Sequence, residues 1–300
     1  MRKAVYCGKV KIGGGVPVSV QSMTNVDSRN EEALLTQVRQ LQEAGCDIVR
    51  IAVPDMDAVE VFGRVKKQVN VPLVADIHFD YRLAIASICA GADKIRINPG
   101  NIGGKERVKA VADACRQKGI PIRIGVNGGS LEKPLLEKYG KVCPEALVES
   151  AFGHIRLLNQ FDFDDICVSL KSSSVPVTMA AYRLMGERSQ YPLHLGVTEA
   201  GTRTMGTIKS AIGIGGLLAQ GIGDTFRVTL TADPVEEVVV AKQILQAAGL
   251  RQDGPNLIAC PTCGRTQIDL IGLANQVETM VQQYPLDIKV AVMGCVVNGP

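Results

Sequence analysis

The sequence predicts an α/β protein, a (β/α)8 TIM barrel followed by a smaller α/β domain. Three observations carry that expectation. Short β-rich runs alternate with helical segments eight times before the pattern breaks. No G-x-G-x-x-G follows the first run, which leaves the doubly wound open sheet as the runner-up. After residue 250 the rhythm changes, and "LRQDGPN" reads as a linker with Gly and Pro as breakers.

The strand candidates, in order, are "VSVQSM" (18–23), "DIVRIAV" (47–53), "LVADIHF" (73–79), "KIRINPG" (94–100), "PIRIGVN" (121–127), "DICVSLK" (165–171), "LHLGVTE" (193–199) and "TFRVTLT" (225–231). Between them lie stretches such as "EEALLTQVRQLQEAG" and "KERVKAVADACRQKG", with apolar residues at helical spacing and a terminal Gly where a helix C′ position favours one. Gly13 to Gly15 read as a hairpin turn below the barrel. The glycines of "AIGIGG" (211–216) read as positions of close helix packing. Beyond the linker come a short strand with a CxxC, a helix ("LIGLANQVETMVQQY") and a strand ("IKVAVMG"). The expected domains are therefore 1–250 and 251–300. An apolar strand and a turn with nothing after them make an odd domain end. The expectation is that the native chain continues past Pro300 and that the small domain is incomplete there.

At 300 residues the chain exceeds what one core comfortably holds. Its net charge of +3 is nearly neutral for that size, which argues against a dedicated nucleic-acid binder. No apolar stretch of about 20 residues predicts a membrane span. The N-terminal segment has no apolar run of signal-peptide length. Nine cysteines without a secretion signal point to the cytoplasm and to metal or redox use rather than disulfides. Cys46, Cys89 and Cys115, in or at the ends of helices, read as small core residues, and His154 as an ordinary helix residue.

Side chains on a strand alternate faces with period two. In each run one face is apolar and suits the helices. The other carries Ser19, Gln21 and Met23; Arg50; Asp76 and His78; Lys94, Arg96 and Asn98; Arg123, Gly125 and Asn127; Cys167, Ser169 and Lys171; His194, Gly196 and Thr198; and Arg227, Thr229 and Thr231. A purely structural barrel fills its interior mostly with Val, Ile and Leu. Buried cations need anionic partners, and the strands offer Asp76 inside and Glu199 at a strand end, too few to neutralise five cations. That shortfall points to an anionic ligand, and a phosphate or diphosphate best matches several forked guanidiniums. Arg50, Arg96, Arg123 and Lys171 are the expected diphosphate ligands. Asn98 and Asn127 are expected to assist, with Ser169, Arg227 and Thr229 also in the substrate site.

Cys260 and Cys263 can grip one metal ion or one corner of a cluster, and Cys295, 32 residues on, can return beside them at the end of a strand. Zinc wants a fourth Cys or His, and no His follows His194. A [4Fe–4S] cluster also usually takes four protein ligands. The alternatives are a pterin-binding or phosphosugar barrel with structural cysteines, and a zinc-ribbon-like module on an inert barrel.

The segments "VQSMTNVD", "ADIHFDYRLA", "IRINPGNIG", "IRIGVNGGSLE", "SLKSS", "GVTEAGT", "CPTCGRT" and "MGCVVNGP" resemble, in order and spacing, the 4-hydroxy-3-methylbut-2-enyl diphosphate synthase family in its compact bacterial form. The resemblance implies reductive ring opening of 2-C-methyl-D-erythritol 2,4-cyclodiphosphate in isoprenoid biosynthesis. Two electrons come from reduced flavodoxin or ferredoxin, and a hydroxyl leaves as water. It implies a [4Fe–4S] cluster on Cys260, Cys263 and Cys295, with a glutamate as fourth ligand that has no counterpart before Pro300. It also implies a homodimer in which the cluster domain of one subunit caps its partner's barrel. A departing hydroxyl needs a proton. Glu199, to which the resemblance also points, is the expected acid, and Asp76 and His78 are the other candidates.

Overall fold

The computed structural model describes residues 2–251, 254–281, 283–284 and 286–298. It divides into two compact units, Met1–Ile244 and Leu245–Pro300. In the first, an antiparallel hairpin of β1 (Ala4–Cys7) and β2 (Val10–Gly13) precedes eight parallel strands. These are β3 (Ser19–Met23), β4 (Ile48–Ala52), β5 (Leu73–Asp76), β6 (Lys94–Ile97), β7 (Ile122–Asn127), β8 (Ile166–Lys171), β9 (His194–Leu195) and β10 (Thr225–Phe226). From β3 to β8 each pairs with the next, β10 pairs with both β9 and β3, and a bridge from Val168 to Leu193 joins β8 to the start of β9. The sheet thus closes on itself, as the eight alternations predicted.

The last two strands are shorter than the sequence suggested. After Leu195 the chain reaches Gly196, where an added Cβ would lie 2.7 Å from Lys171 Nζ and 3.2 Å from the Arg227 carbonyl. Regular pairing lapses at this crowded point, although Arg227 N still donates to Leu195 O at 3.1 Å.

The helices form as the pattern dictates. Helix Glu31–Glu43 buries Leu34, Gln37, Val38 and Leu41, a stripe at helical spacing, and Asn30 Oδ1 caps it by accepting from Ala33 N. Asp55, Asp80 and Ser174 cap three later helices in the same way. Helix Tyr81–Cys89 buries Leu83, Ala84, Ser87 and Ile88. Cys89, its last residue, falls off that stripe and is exposed, so it is not the core residue expected, whereas Cys46 and Cys115 are buried.

The hairpin supplies what the sequence reading lacked, a floor. Val5, Cys7 and Ile12 form one apolar cluster with Ile48 of β4, Val74 of β5 and Cys167 of β8. Its turn is Gly8–Lys9, with Gly8 at φ 55°, so the expected turn at Gly13–Gly15 is corrected. Gly13 ends β2, and its added Cβ would collide with the Lys3 carbonyl. The "AIGIGG" glycines open a π-helical turn, Ala211–Gly215, where an added Cβ on Gly213 would lie 2.7 Å from Val197 Cγ2. The close approach is the packing anticipated there.

In the second unit, β11 (Asn256–Ala259) and β12 (Lys289–Val292) pair in parallel, with helix Leu270–Val281 between them in sequence. Among the described residues no helix is long and apolar enough to cross a membrane. The expectation about the chain end at Pro300 lies outside the described residues.

Candidate functional site

Strand polarity puts the ends of β4 to β8 at one mouth of the barrel. There a cavity of about 180 Å³ is lined by Arg50, Asp76, His78, Arg96, Arg123, Asn127, Ser169, Lys171, Thr198, Arg227 and Thr229. Most of the predicted site residues are therefore brought together. Arg96 and Arg123 sit side by side in the β6–β7 register, and Lys171 lies opposite Asn127.

Five cations face this space, and two buried carboxylates answer them. Asp76 Oδ1 accepts from Arg96 Nη1 at 3.1 Å, and its Oδ2 lies 3.6 Å from Arg50 Nε and 3.9 Å from His78 Nε2. Burial pushes the Asp76 carboxyl up, but the Arg50 and Arg96 charges outweigh it and hold it at about 2. The second carboxylate is Glu237, on helix Pro234–Ala247. Its two oxygens grip Arg227 Nε and Nη2, both at 2.9 Å, and also accept from Ser22 Oγ and Leu230 N. The sequence reading missed Glu237, because an acidic residue in a first helical turn looks like ordinary dipole compensation.

Among the described residues no carboxylate forms an ion pair with Arg123, and Asp76 acts on it only through its charge. Arg123 Nη1 donates to Gln21 Oε1 at 3.3 Å, and burial followed by the Arg96 charge lowers its guanidinium to about 10. Arg50 leans on Met23, whose sulfur accepts from Nε at 3.0 Å and from Nη2 at 2.8 Å. Burial, and then the arginines around it, push the Lys171 ammonium well below its usual range. Such a cluster is electrostatically incomplete, and an anion with several oxygens relieves it.

Two glycines make room for these cations. A Cβ at Gly125 would stand 2.6 Å from Arg96 Nε, and the Gly196 Cβ would meet Lys171 Nζ. The sequence reading placed both glycines inside without assigning them this task.

Three expectations meet a different local setting. Asn98 is buried but does not line the cavity, and its Oδ1 accepts from Gly100 N at 3.1 Å, shaping its own loop. His78 is half exposed at the rim. Glu199 does not line the cavity either. It is exposed, in a turn at φ 52°, a left-handed conformation that costs a non-glycine residue about 1–3 kcal/mol. Its neighbour Thr198 is the lining residue.

The thiols of the second unit share one end of a strand pair. Cys260 follows β11, its N donating to Val292 O at 2.9 Å, and Cys295 comes three residues after β12 ends. Cys263 lies exposed in the intervening loop, its thiol lowered first by the backbone N–H of Arg265. Asn298 Nδ2 donates to Cys260 Sγ at 3.2 Å. The donor set is all thiol, which suits iron–sulfur or another soft metal centre. Among the described residues, however, no three His, Cys, Asp or Glu side chains converge closely enough to hold a metal. The residues therefore fit the group in kind, although among the described residues their side chains do not converge into a closed ligand set.

Comparison with solved structures shows the fold. Dihydropteroate synthase from Yersinia pestis matches with a TM-score of 0.57 at 16% identity, over 83% of this chain and 99% of that one. 3-Dehydroquinate dehydratase from Geobacillus kaustophilus matches with 0.57 at 14%, over 82% and 99%. Curated relatives lie much nearer in sequence. Proteins named 4-hydroxy-3-methylbut-2-en-1-yl diphosphate synthase (flavodoxin) are 57% identical in Ruminiclostridium cellulolyticum, over 99% of this chain and 84% of the relative. The one in Caldanaerobacter subterraneus subsp. tengcongensis is 59% identical, over 100% and 84%. The GcpE TIM-barrel domain model matches residues 2–242, and the GcpE protein C-terminal domain model matches residues 256–300. With both units matched in order and more than half of all positions identical to those relatives, the chain belongs to the GcpE family.

Proposed function

We propose that the chain converts 2-C-methyl-D-erythritol 2,4-cyclodiphosphate to 4-hydroxy-3-methylbut-2-enyl diphosphate in the cytoplasm, with two electrons from reduced flavodoxin. The observation that carries this reading is the cation excess at the barrel mouth, where five positive side chains meet two buried carboxylates. The activity named for relatives more than half identical along the chain agrees with it.

In this reading Arg50, Arg96, Arg123 and Lys171 bind the diphosphate, and the negative substrate restores charge to the Lys171 ammonium. Arg227, held by Glu237, closes the cationic ring. Asn127, Ser169 and Thr229 supply neutral hydrogen bonds. Asp76 keeps Arg50 and Arg96 aimed and stays ionised. Asn98 shapes the loop after β6. Cys260, Cys263 and Cys295 would hold a [4Fe–4S] cluster, which supplies the electrons for carbon–oxygen bond cleavage. The departing hydroxyl takes a proton and leaves as water. Glu199 delivers that proton after its turn moves inward, a change favoured by release of its left-handed backbone strain. His78, at the rim, is the reserve donor. The protein works as a homodimer, each subunit's thiol domain serving the partner's barrel.

The deciding experiment is anaerobic. The full-length chain is reconstituted, iron and acid-labile sulfide are counted, and visible and EPR spectra are recorded with and without the cyclic diphosphate. A four-iron signal that changes on substrate addition is expected. Absence of iron and sulfide after reconstitution, with the cyclic diphosphate still binding, would reduce the barrel to a phosphosugar site with structural cysteines.

A further inference from the structure

Below the cavity the barrel interior carries a second polar layer. Ser19 and Gln21 of β3, Lys94 of β6, Arg123 of β7, His194 of β9 and Thr225 of β10 are each at most 5% exposed. Among the described residues, Ser19 Oγ, Gln21 Nε2, Lys94 Nζ, Arg123 Nε, both ring nitrogens of His194 and Thr225 Oγ1 meet no protein hydrogen-bond partner. The atoms belong together. Thr225 is in register with both Ser19 and His194, and Gln21 bonds Arg123 across the barrel. Beneath them the apolar hairpin cluster seals the floor.

Seven unanswered polar atoms in one buried layer are far more than a folded interior tolerates, since each costs about 1–3 kcal/mol when left unpaired. We propose that this layer is a binding site for a small cluster of ordered water molecules that bridges His194, Lys94, Gln21 and the Nε edge of Arg123. The mixture of donors and acceptors selects water over an inorganic anion. Lys94, Gln21 and Arg123 offer N–H groups, which either ligand can accept. A neutral imidazole also presents a lone pair, which only an O–H can serve. Burial, followed by the Arg123 and Lys171 charges, pushes His194 well below its usual range, so the ring is neutral and the lone pair is present.

The layer has a consequence for the site above it. Water dipoles satisfy Arg123 without neutralising it, whereas a carboxylate in the same place would cancel its charge. The uncompensated charge stays available to an anion in the cavity.

The test is a high-resolution crystal structure of the full chain without substrate, paired with a bromide soak read by anomalous scattering. Two or more water peaks are expected, each within about 3.2 Å of at least two of the named atoms, one of them on a His194 nitrogen. The site should stay free of bromide. A bromide peak in the layer, a dry layer, or side chains turned to pair directly with one another would overturn the proposal. None of these outcomes depends on the reaction carried out above, so the layer and the proposed activity fail separately.

Discussion

Replacing Gly125 by alanine adds one methyl group to the inner wall of β7, against Arg96. The new Cβ would stand 2.6 Å from Arg96 Nε and 2.7 Å from Nη2, where ordinary contact begins near 3.4 Å. Gly125 is not at positive φ, so the backbone admits alanine and the guanidinium must give way by about 0.8 Å. A shift of that size exceeds the range over which an N–H···O bond survives, including the 3.1 Å bond to Asp76. The end of an arginine moves more cheaply than backbone, so folding should lose only about 1–3 kcal/mol. One charge-assisted contact to a bound anion is worth about 1.5–3 kcal/mol, which is roughly ten- to a hundredfold in Kd. Isothermal titration with pyrophosphate, alongside a thermal melt, separates the two effects. Affinity should fall by that factor while Tm drops only a few degrees. A folded Gly125→Ala protein with unchanged pyrophosphate affinity would refute the reasoning that Arg96 needs the space.

Further expectations concern the same site. Arg123→Met should weaken pyrophosphate or substrate binding by roughly ten- to a hundredfold, and an unchanged Kd would remove Arg123 from the diphosphate ligands. Glu199→Gln should leave substrate binding intact while turnover falls at least about a hundredfold, and near-normal turnover would move the proton donor to His78. Asp76 is held at about 2 against an ordinary 3.8, so its stabilisation of about 2 kcal/mol is complete above pH ~4 and is lost as pH falls toward 2. Urea midpoints between pH 5 and 3 should therefore fall faster for the natural chain than for Asp76→Asn, and parallel profiles would contradict that coupling. If subunits work in trans, mixing Arg123→Met and Cys263→Ser proteins should restore part of the activity. Proven subunit exchange without activity would exclude the arrangement.

Period-two alternation was enough to put Arg50, Arg96, Arg123, Ser169 and Lys171 on one inner surface, because a strand fixes its faces locally and a barrel makes one face common to all strands. The eight alternations and the change of rhythm after residue 250 were equally local signals. What long-range packing decides was not legible. Glu237 reaches Arg227 only because helix Pro234–Ala247 folds back on the barrel, and nothing in "DPVEEVVV" distinguishes it from Glu236. The floor depends on where the hairpin docks, which its own eight strand residues do not encode. Glu199 was expected at the end of a seven-residue strand, next to the inward-facing Thr198, yet pairing lapses after Leu195, where Gly196 leaves room for Lys171, and the carboxylate ends in a left-handed turn. The sequence alone thus determined which chemistry faces the barrel interior, since that follows from residue type and backbone period. Only the tertiary structure decided which charges are compensated and which remain for a ligand, since compensation depends on distances between residues remote in the chain.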